Sequence, residues 1–519
     1  MTESIKFLPI DCLYQGVAIN PGATAIEDHQ TSLSYHDLVI QVEALALALA
    51  QQLPPQSRVA LCAQNHAPHI IAFLAILAAG MIWIPVNPKN GAQLNRKLLQ
   101  RVDPDLLMID RNSADALAFD PGSTLKTAHT LFLDGDQSPH IDDWIRPNSG
   151  KPFSPARPAV DSIMAIKFTG GSTGEPKGVM QSHLNVATVV DNLQASYQFT
   201  REDCNLTVAP LTHGASHLIL PILAAGARHL ILPDSNTDTI LDAFTRRGAS
   251  VCFMPPTLIY KLLEHPDACP ENLPHLRHLI YSAAPMPPAR IQQTLDRLGP
   301  VLSTLYGQTE APMTITTLDN NEMRKPELQS SVGRACKHSD LAILDDKGRS
   351  LPAGQIGEVA IAGPLVMNGY YREDDKTGAT MSGQWLRTGD LGCLDKQGYL
   401  FLQGRSSDVI ISGGFNVYPS EVENLLIDMQ GITECVVFGK PDDYWGECVE
   451  AVVCLQNDAC FDEKQLRQTI KERLGPIKTP KRIHQLEQLP RNPVGKVVRR
   501  DVATLIQTQQ LARHSEMTK

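Results

Sequence analysis

Residues 168–183 read FTGGSTGEPKGVMQSH, a run suited to holding a polyphosphate. Gly170, Gly171 and Gly174 let the backbone turn its N–H groups inward. Thr169, Ser172 and Thr173 add hydroxyl donors, and Lys177 adds a full positive charge. The Walker spacing ends in Gly-Lys-Ser/Thr and is not met, because Pro176 precedes Lys177 and Gly178 follows it. Proline has no N–H to donate, so this loop cannot close on a phosphate in the Walker manner. The flanking runs SIMAIKF (162–168) and LNVATVV (184–190) predict a strand, the glycine loop, then a helix.

Five further clusters carry chemistry. YSAAPMPP (281–288) follows an apolar strand. LYGQTEAP (305–312) sets Thr309 beside Glu310, an oxygen pair suited to a hard cation. WLRTGDLG (385–392) is expected to put Asp390 on a turn. GRSSDVIISGGFNVYPSEVE (404–423) joins Arg405 to a glycine-rich turn and a helix start. LPRNPVGKVVRR (489–500) presents Lys496 after a Pro/Gly loop. His213 and His217 stand four apart in PLTHGASH (210–217), but no glutamate follows the first and no third ligand is apparent, which argues against a metal pair.

Positioning these groups takes a large scaffold. The chain has 519 residues, enough for two to four structural units. Strand-like runs such as RVALC, LLMI, HLIL and VCFM alternate with helical segments through about the first 400 residues, the pattern of α/β layers with largely parallel sheets. From about 350 to 405 short strands between glycine turns predict a small β-rich unit. Beyond Arg405 a separate unit begins, with helices near 420–429 and 462–474 and strands near 434–438 and 448–455. Its stretch from Lys464 to Arg500 holds eleven Lys/Arg against Glu472 and Glu487, a surface that could face phosphates.

Composition sets limits. A formal net charge of −10 argues against bulk binding to nucleic acid or anionic membranes. Eleven scattered cysteines without a CxxC pair suit reduced thiols in a cytoplasmic protein rather than a disulfide framework or zinc site. Residues 70–86, IIAFLAILAAGMIWIPV, are interrupted by Gly80 and Pro85 and read as a buried helix running into a buried strand, not a membrane span. No signal peptide is expected at the start.

Taken in order, these motifs resemble the adenylate-forming superfamily: acyl-CoA synthetases, peptide-synthetase adenylation domains and firefly luciferase. The resemblance covers essentially the whole chain. It implies an α/β fold with a large N-terminal domain (1–405) of layered α/β sheets plus a small β-rich subdomain. A small, mobile α+β C-terminal domain (406–519) would follow. It also implies an AMP-forming acyl-CoA ligase using ATP, Mg²⁺ and CoA: a carboxylate attacks the α-phosphorus to give acyl-AMP and pyrophosphate, and a thiol then displaces AMP. On this resemblance, Thr169, Ser172, Thr173, Gly174 and Lys177 hold the departing pyrophosphate. Thr309 and Glu310 contact the α-phosphate and Mg²⁺, and Lys496 bridges the carboxylate and the α-phosphate. Asp390 takes the ribose hydroxyls with Arg405 nearby. Tyr306, with Gly307, stacks on adenine, and Ala283, Ala284 and Pro285 line its other side. His213 stands beside the substrate carboxylate. Gly413 and Gly414 flank the pantetheine channel after a swing of the small domain.

Two positions depart from the pattern: Ser407 occupies the hinge, usually Asp or Lys, and Leu305 replaces a glycine before the motif tyrosine. The leucine suggests a reshaped pocket for a medium-chain, aromatic or alicyclic acid, and no pocket arginine or lysine stands out for a dicarboxylate. A free-standing enzyme that loads an acyl group onto a carrier protein's phosphopantetheine is the alternative. A homodimer is compatible with either.

Overall fold

The computed structural model describes residues 5–116, 129–136, 138–169, 176–442, 444–456, 461–491 and 497–517, the side chains of 510–517 excepted. Two sheets with parallel interiors dominate the large N-terminal domain. The first has seven strands in the spatial order Gly369–Tyr370, Lys177–Ser182, Ile163–Thr169, Ile82–Pro85, Arg58–Cys62, Leu106–Ile109, His129–Phe132. Its last five strands run parallel. The second has nine strands, parallel from Thr24–Glu27 through Leu302–Tyr306, with antiparallel strands at both edges. These interior strands are buried on both faces, which is why they read as unbroken apolar runs instead of alternating ones.

Apolar residues 70–86 form the buried helix Ala67–Ala78 and the strand Ile82–Pro85, as the sequence suggests. Among the described residues no helix is long and apolar enough to cross a membrane. Residues 340–405 hold a five-stranded antiparallel sheet. The small C-terminal domain is built on another, in which Arg482–Gln485 alone runs parallel to its neighbour. The helices Pro419–Ile427 and Glu463–Leu474 accompany it. The Ser420 hydroxyl donates to the Gln403 carbonyl at 2.6 Å across the junction.

Two local expectations are corrected. The glycine loop does not open a helix; it joins Ile163–Thr169 to an antiparallel strand, Lys177–Ser182, with Thr169 opposite Lys177. Gly178 lies close against the neighbouring strand, where an added Cβ would stand 3.1 Å from Ile166 and Phe168. The helix His183–Tyr197 starts only after Ser182, which caps it reciprocally with Asn185. Asp390 is the second correction: it lies inside the strand Trp385–Leu394, not on a turn, directly opposite Arg405 in Leu400–Arg405.

Candidate active site

Both parallel sheets point their carboxyl ends at the same region, the usual ligand crevice of an open α/β sheet. Thr169 ends one strand, Tyr306 ends another, and Ala283-Ala284-Pro285 follow the end of His278–Tyr281. Ala283 sits at φ 73°, a left-handed conformation that favours glycine. Gly307 is demanded by its surroundings: a Cβ there would meet the Met313 backbone at 2.5 Å.

Asp390 is the hub of one corner. The Tyr306 hydroxyl donates to its Oδ2 at 2.6 Å, and Gln308 Nε2 donates to the same oxygen at 2.7 Å. Arg405 Nε pairs with Oδ1 at 2.7 Å, and its Nη1 donates to the Thr388 carbonyl at 3.1 Å. Burial, and then the Asp390 charge, pushes the Tyr306 phenol well up, so it stays a donor. Asp390 is thus held as a fixed acceptor at the end of Leu302–Tyr306. Gln308 was not singled out from the sequence; its place inside the motif was the available signal.

A second corner gathers around Tyr370. Its hydroxyl donates to Glu310 Oε1 at 2.8 Å, and Lys177 Nζ lies 5.1 Å from its ring centroid. Gln181 Nε2 donates to the Thr309 carbonyl at 2.8 Å, and Met367 N–H donates to the Glu310 carbonyl at 2.9 Å. The phosphate hairpin, the 305–312 loop and the segment 364–371 are therefore tied into one frame. Among the described residues no group of three or more His, Cys, Asp or Glu gathers as a metal cage. A single carboxylate beside a threonine suits Mg²⁺, which takes one or two protein oxygens and completes its shell with phosphate and water. Ser172, Thr173, Gly174 and Lys496 lie outside the described residues. Gly413 and Gly414, at φ 59° and 81°, form the turn between Ile410–Ser412 and Phe415–Val417 in the small domain.

The third corner is the 3-10 turn Gly214–Leu218, with His213 at its N-terminal end. Gly214 packs on Phe253, where a Cβ would stand 2.8 Å from the ring. Leu305 is buried in the same cluster as Ala215 and Phe253. His213 Nδ1 lies 2.9 Å from the Thr212 hydroxyl. Burial, then the positive charge of Lys167, holds the His213 imidazole down to about 4, so it is neutral near pH 7. Lys167, like Gln308 and Tyr370, was not singled out from the sequence. It is buried on Ile163–Thr169, with Nζ 3.1 Å from His217 Nε2, a lysine beside the histidine pair where the motifs single out none. A lysine inside the apolar strand SIMAIKF was the signal.

The family model for AMP-binding enzymes matches residues 13–371, and that for the AMP-binding enzyme C-terminal domain matches 421–496. An indoleacetate–CoA ligase of Aromatoleum aromaticum (strain DSM 19018 / LMG 30748 / EbN1) is 32% identical over 94% of this chain and 96% of its own. A feruloyl-CoA synthase of Amycolatopsis sp is 30% identical over 93% and 96%. The match to a medium/long-chain-fatty-acid–CoA ligase of Mycobacterium tuberculosis (strain ATCC 25618 / H37Rv) spans 60% of that protein's length. The amide bond synthetase McbA from Marinactinospora thermotolerans superposes with a TM-score of 0.88 at 30% identity, covering 96% of this chain and 100% of that one. ATP-bound MatB from Rhodopseudomonas palustris superposes with a TM-score of 0.87 at 30% identity, covering 97% and 98%. With its motifs, sheets and converging corners in that company, the chain belongs to the adenylate-forming AMP-binding enzymes, among the AMP-forming acyl-CoA ligases.

Proposed function

We propose that this chain activates a medium-chain, aromatic or alicyclic carboxylic acid as its acyl-adenylate and passes the acyl group to CoA. The observation that carries the reading is the convergence of the Asp390–Tyr306–Gln308–Arg405 corner and the Lys177–Tyr370–Glu310 corner at the carboxyl ends of two parallel sheets. In this reading Asp390 accepts the ribose hydroxyls, with Arg405 fixing its orientation. Tyr306 and Ala283-Ala284-Pro285 border the adenine. Thr169 and Lys177, with Ser172, Thr173 and Gly174, take the β- and γ-phosphates.

Two anions must meet at the α-phosphorus, so the site has to neutralise charge there. Thr309 and Glu310 would hold Mg²⁺, which supplies positive charge at the phosphates. Lys496 would bridge the carboxylate and the α-phosphate. A neutral His213 beside the acid can donate a hydrogen bond without titrating near pH 7. The domain boundary falls at Arg405 in this reading, with Ser407 and Asp408 as the pivot. Arg499 restrains that pivot from the small domain: its Nε pairs with Asp408 at 3.2 Å and its Nη2 with Glu423 at 2.8 Å.

The acceptor is tested by supplying CoA, a phosphopantetheinyl carrier protein or a simple amine to enzyme loaded with acid and MgATP. CoA is expected to give the fastest AMP release. Faster release with the carrier would move the carrier-loading alternative ahead. The likeness to McbA, an amide bond synthetase, is the reason for including an amine.

A further inference from the structure

Among the described residues, Lys167 projects into an apolar pocket that offers it no counter-charge. Its side chain is 8% exposed. Nζ lies 3.1 Å from His217 Nε2, 3.5 Å from the Ser216 hydroxyl oxygen and 5.1 Å from the centroid of Trp83. His217 Nδ1 is 3.2 Å from the Gly214 carbonyl, to which it donates, leaving Nε2 to accept from the lysine. The Ser216 hydroxyl donates to the His213 carbonyl at 2.7 Å and has a lone pair free for Nζ. An ammonium carries three N–H donors, so one remains. The indole N–H of Trp83, in the same wall, has no hydrogen-bond partner among the described residues.

These donors border a cavity of about 10 Å³ whose other walls include Phe73, Met164, Val186 and Leu220, with no carboxylate among its lining residues. The room is that of one water molecule, so a single oxygen of a terminal carboxylate fits and a ring does not. A buried ammonium without an anion is costly, and a strand in this position could carry methionine at no such cost.

Ser216, which lines the cavity and donates to the His213 carbonyl, links it to His213. His213 and His217 bracket one 3-10 turn, and four residues at its rise span roughly 8 Å. An acid whose reacting carboxylate sits at His213 therefore has its far end near Lys167. Resting on the acid-activating reading above, we infer that Lys167, Ser216 and the Trp83 indole N–H close the far end of the acyl pocket. They select acids that carry a second carboxylate remote from the activated one.

Protonation adds a signature. Burial lowers the Lys167 amine to about 7. The titratable groups facing it are His217 and His213, both kept neutral by burial and by the lysine's own charge. Among the described residues, the other elements lining the cavity contribute apolar side chains, Trp83 and the Ser216 hydroxyl. The charge that would bind a far carboxylate is therefore present below about pH 7 and lost above it, whereas the acids themselves stay ionised throughout.

The test measures kcat/KM for pyrophosphate release from MgATP with butanoate, hexanoate and octanoate and with the dicarboxylates of the same lengths. It is run across about pH 6 to 9, on wild type and on Lys167→Met and Lys167→Gln. At one length the wild type is expected to favour the dicarboxylate roughly 10- to 100-fold. That advantage should shrink as pH rises through about 7, because kcat/KM reports the free enzyme. Both variants should lose the preference. A wild-type ratio that is flat with pH and unchanged in both variants would overturn the inference, and so would monocarboxylates favoured at every length. No pyrophosphate release with either series would also overturn this inference, whereas the ligase reading itself falls only if aromatic and alicyclic acids give none either.

Discussion

At the residue scale, the account rests on a few groups whose neighbours fix their chemistry. Asp390 spends its oxygens on Tyr306, Gln308 and Arg405 and is held rigid by them. Asp390→Asn keeps the shape and removes the charge that orients Arg405. The expected result is a rise in KM for ATP of roughly 10-fold, as for loss of a hydrogen bond to a charged group. An unchanged KM would remove Asp390 from the nucleotide site. Lys496→Ala is expected to lower adenylation at least ~100-fold, the scale of losing one transition-state charge contact. Thioester formation from supplied acyl-AMP should be largely spared. Equal loss in both half-reactions, measured separately, would contradict the assigned role. Asp390, Arg405, Thr309 and Glu310 could be singled out because their motifs are contiguous, and the fold does pair Asp390 with Arg405. Tyr370 and Gln308 were not, since their importance lies in what they touch across the fold.

At the element scale, sheet ends and tight loops position those residues. Ala283 closes its strand at a φ of 73°, a conformation that costs an alanine energy which a glycine does not pay. Ala283→Gly is expected to stabilise the fold by about 1 kcal/mol, read as an upward shift in the urea midpoint. A downward shift would mean that the alanine methyl does packing work in the adenine pocket. The hairpin around the phosphate loop was misread as strand-to-helix because Gly178 to Ser182 is too short a run for periodicity to decide. Antiparallel pairing with Ile163–Thr169 settled it through tertiary contact. The same pairing fixes which face of Ile163–Thr169 carries Lys167, a feature that depends on tertiary contact and not on the loop motif. Arg101 braces the loop's far end, its Nη1 donating to the Pro176 carbonyl at 3.0 Å while it also pairs with Glu373.

At the scale of the whole molecule, the layered architecture, the β-rich sheet and the small last domain were all readable from strand-like runs and glycine turns. The alternation of apolar strands with helices reports parallel sheets directly. What could not be read was which loops meet, since that depends on how the two sheets converge. Burial also has a pH consequence. His69, His183 and His229 are buried and held down to about 4 from an ordinary 6.5. Between those values the unfolded chain binds protons that the folded one refuses. Stability therefore rises with pH through this window and is lost as pH falls toward 4, by on the order of 1–3 kcal/mol per group. Urea midpoints taken across the window are expected to drop steadily with acid; a flat profile would contradict the buried, neutral state of these imidazoles.

The central claim is acid activation at the shared carboxyl ends of the two sheets. Its most direct measurement is pyrophosphate release from MgATP across a panel of carboxylic acids, with and without CoA. Release is expected to depend on the acid, to fall into one size class and to turn over continuously only when CoA is present. Release that ignores the acid, or none with any acid, would contradict it.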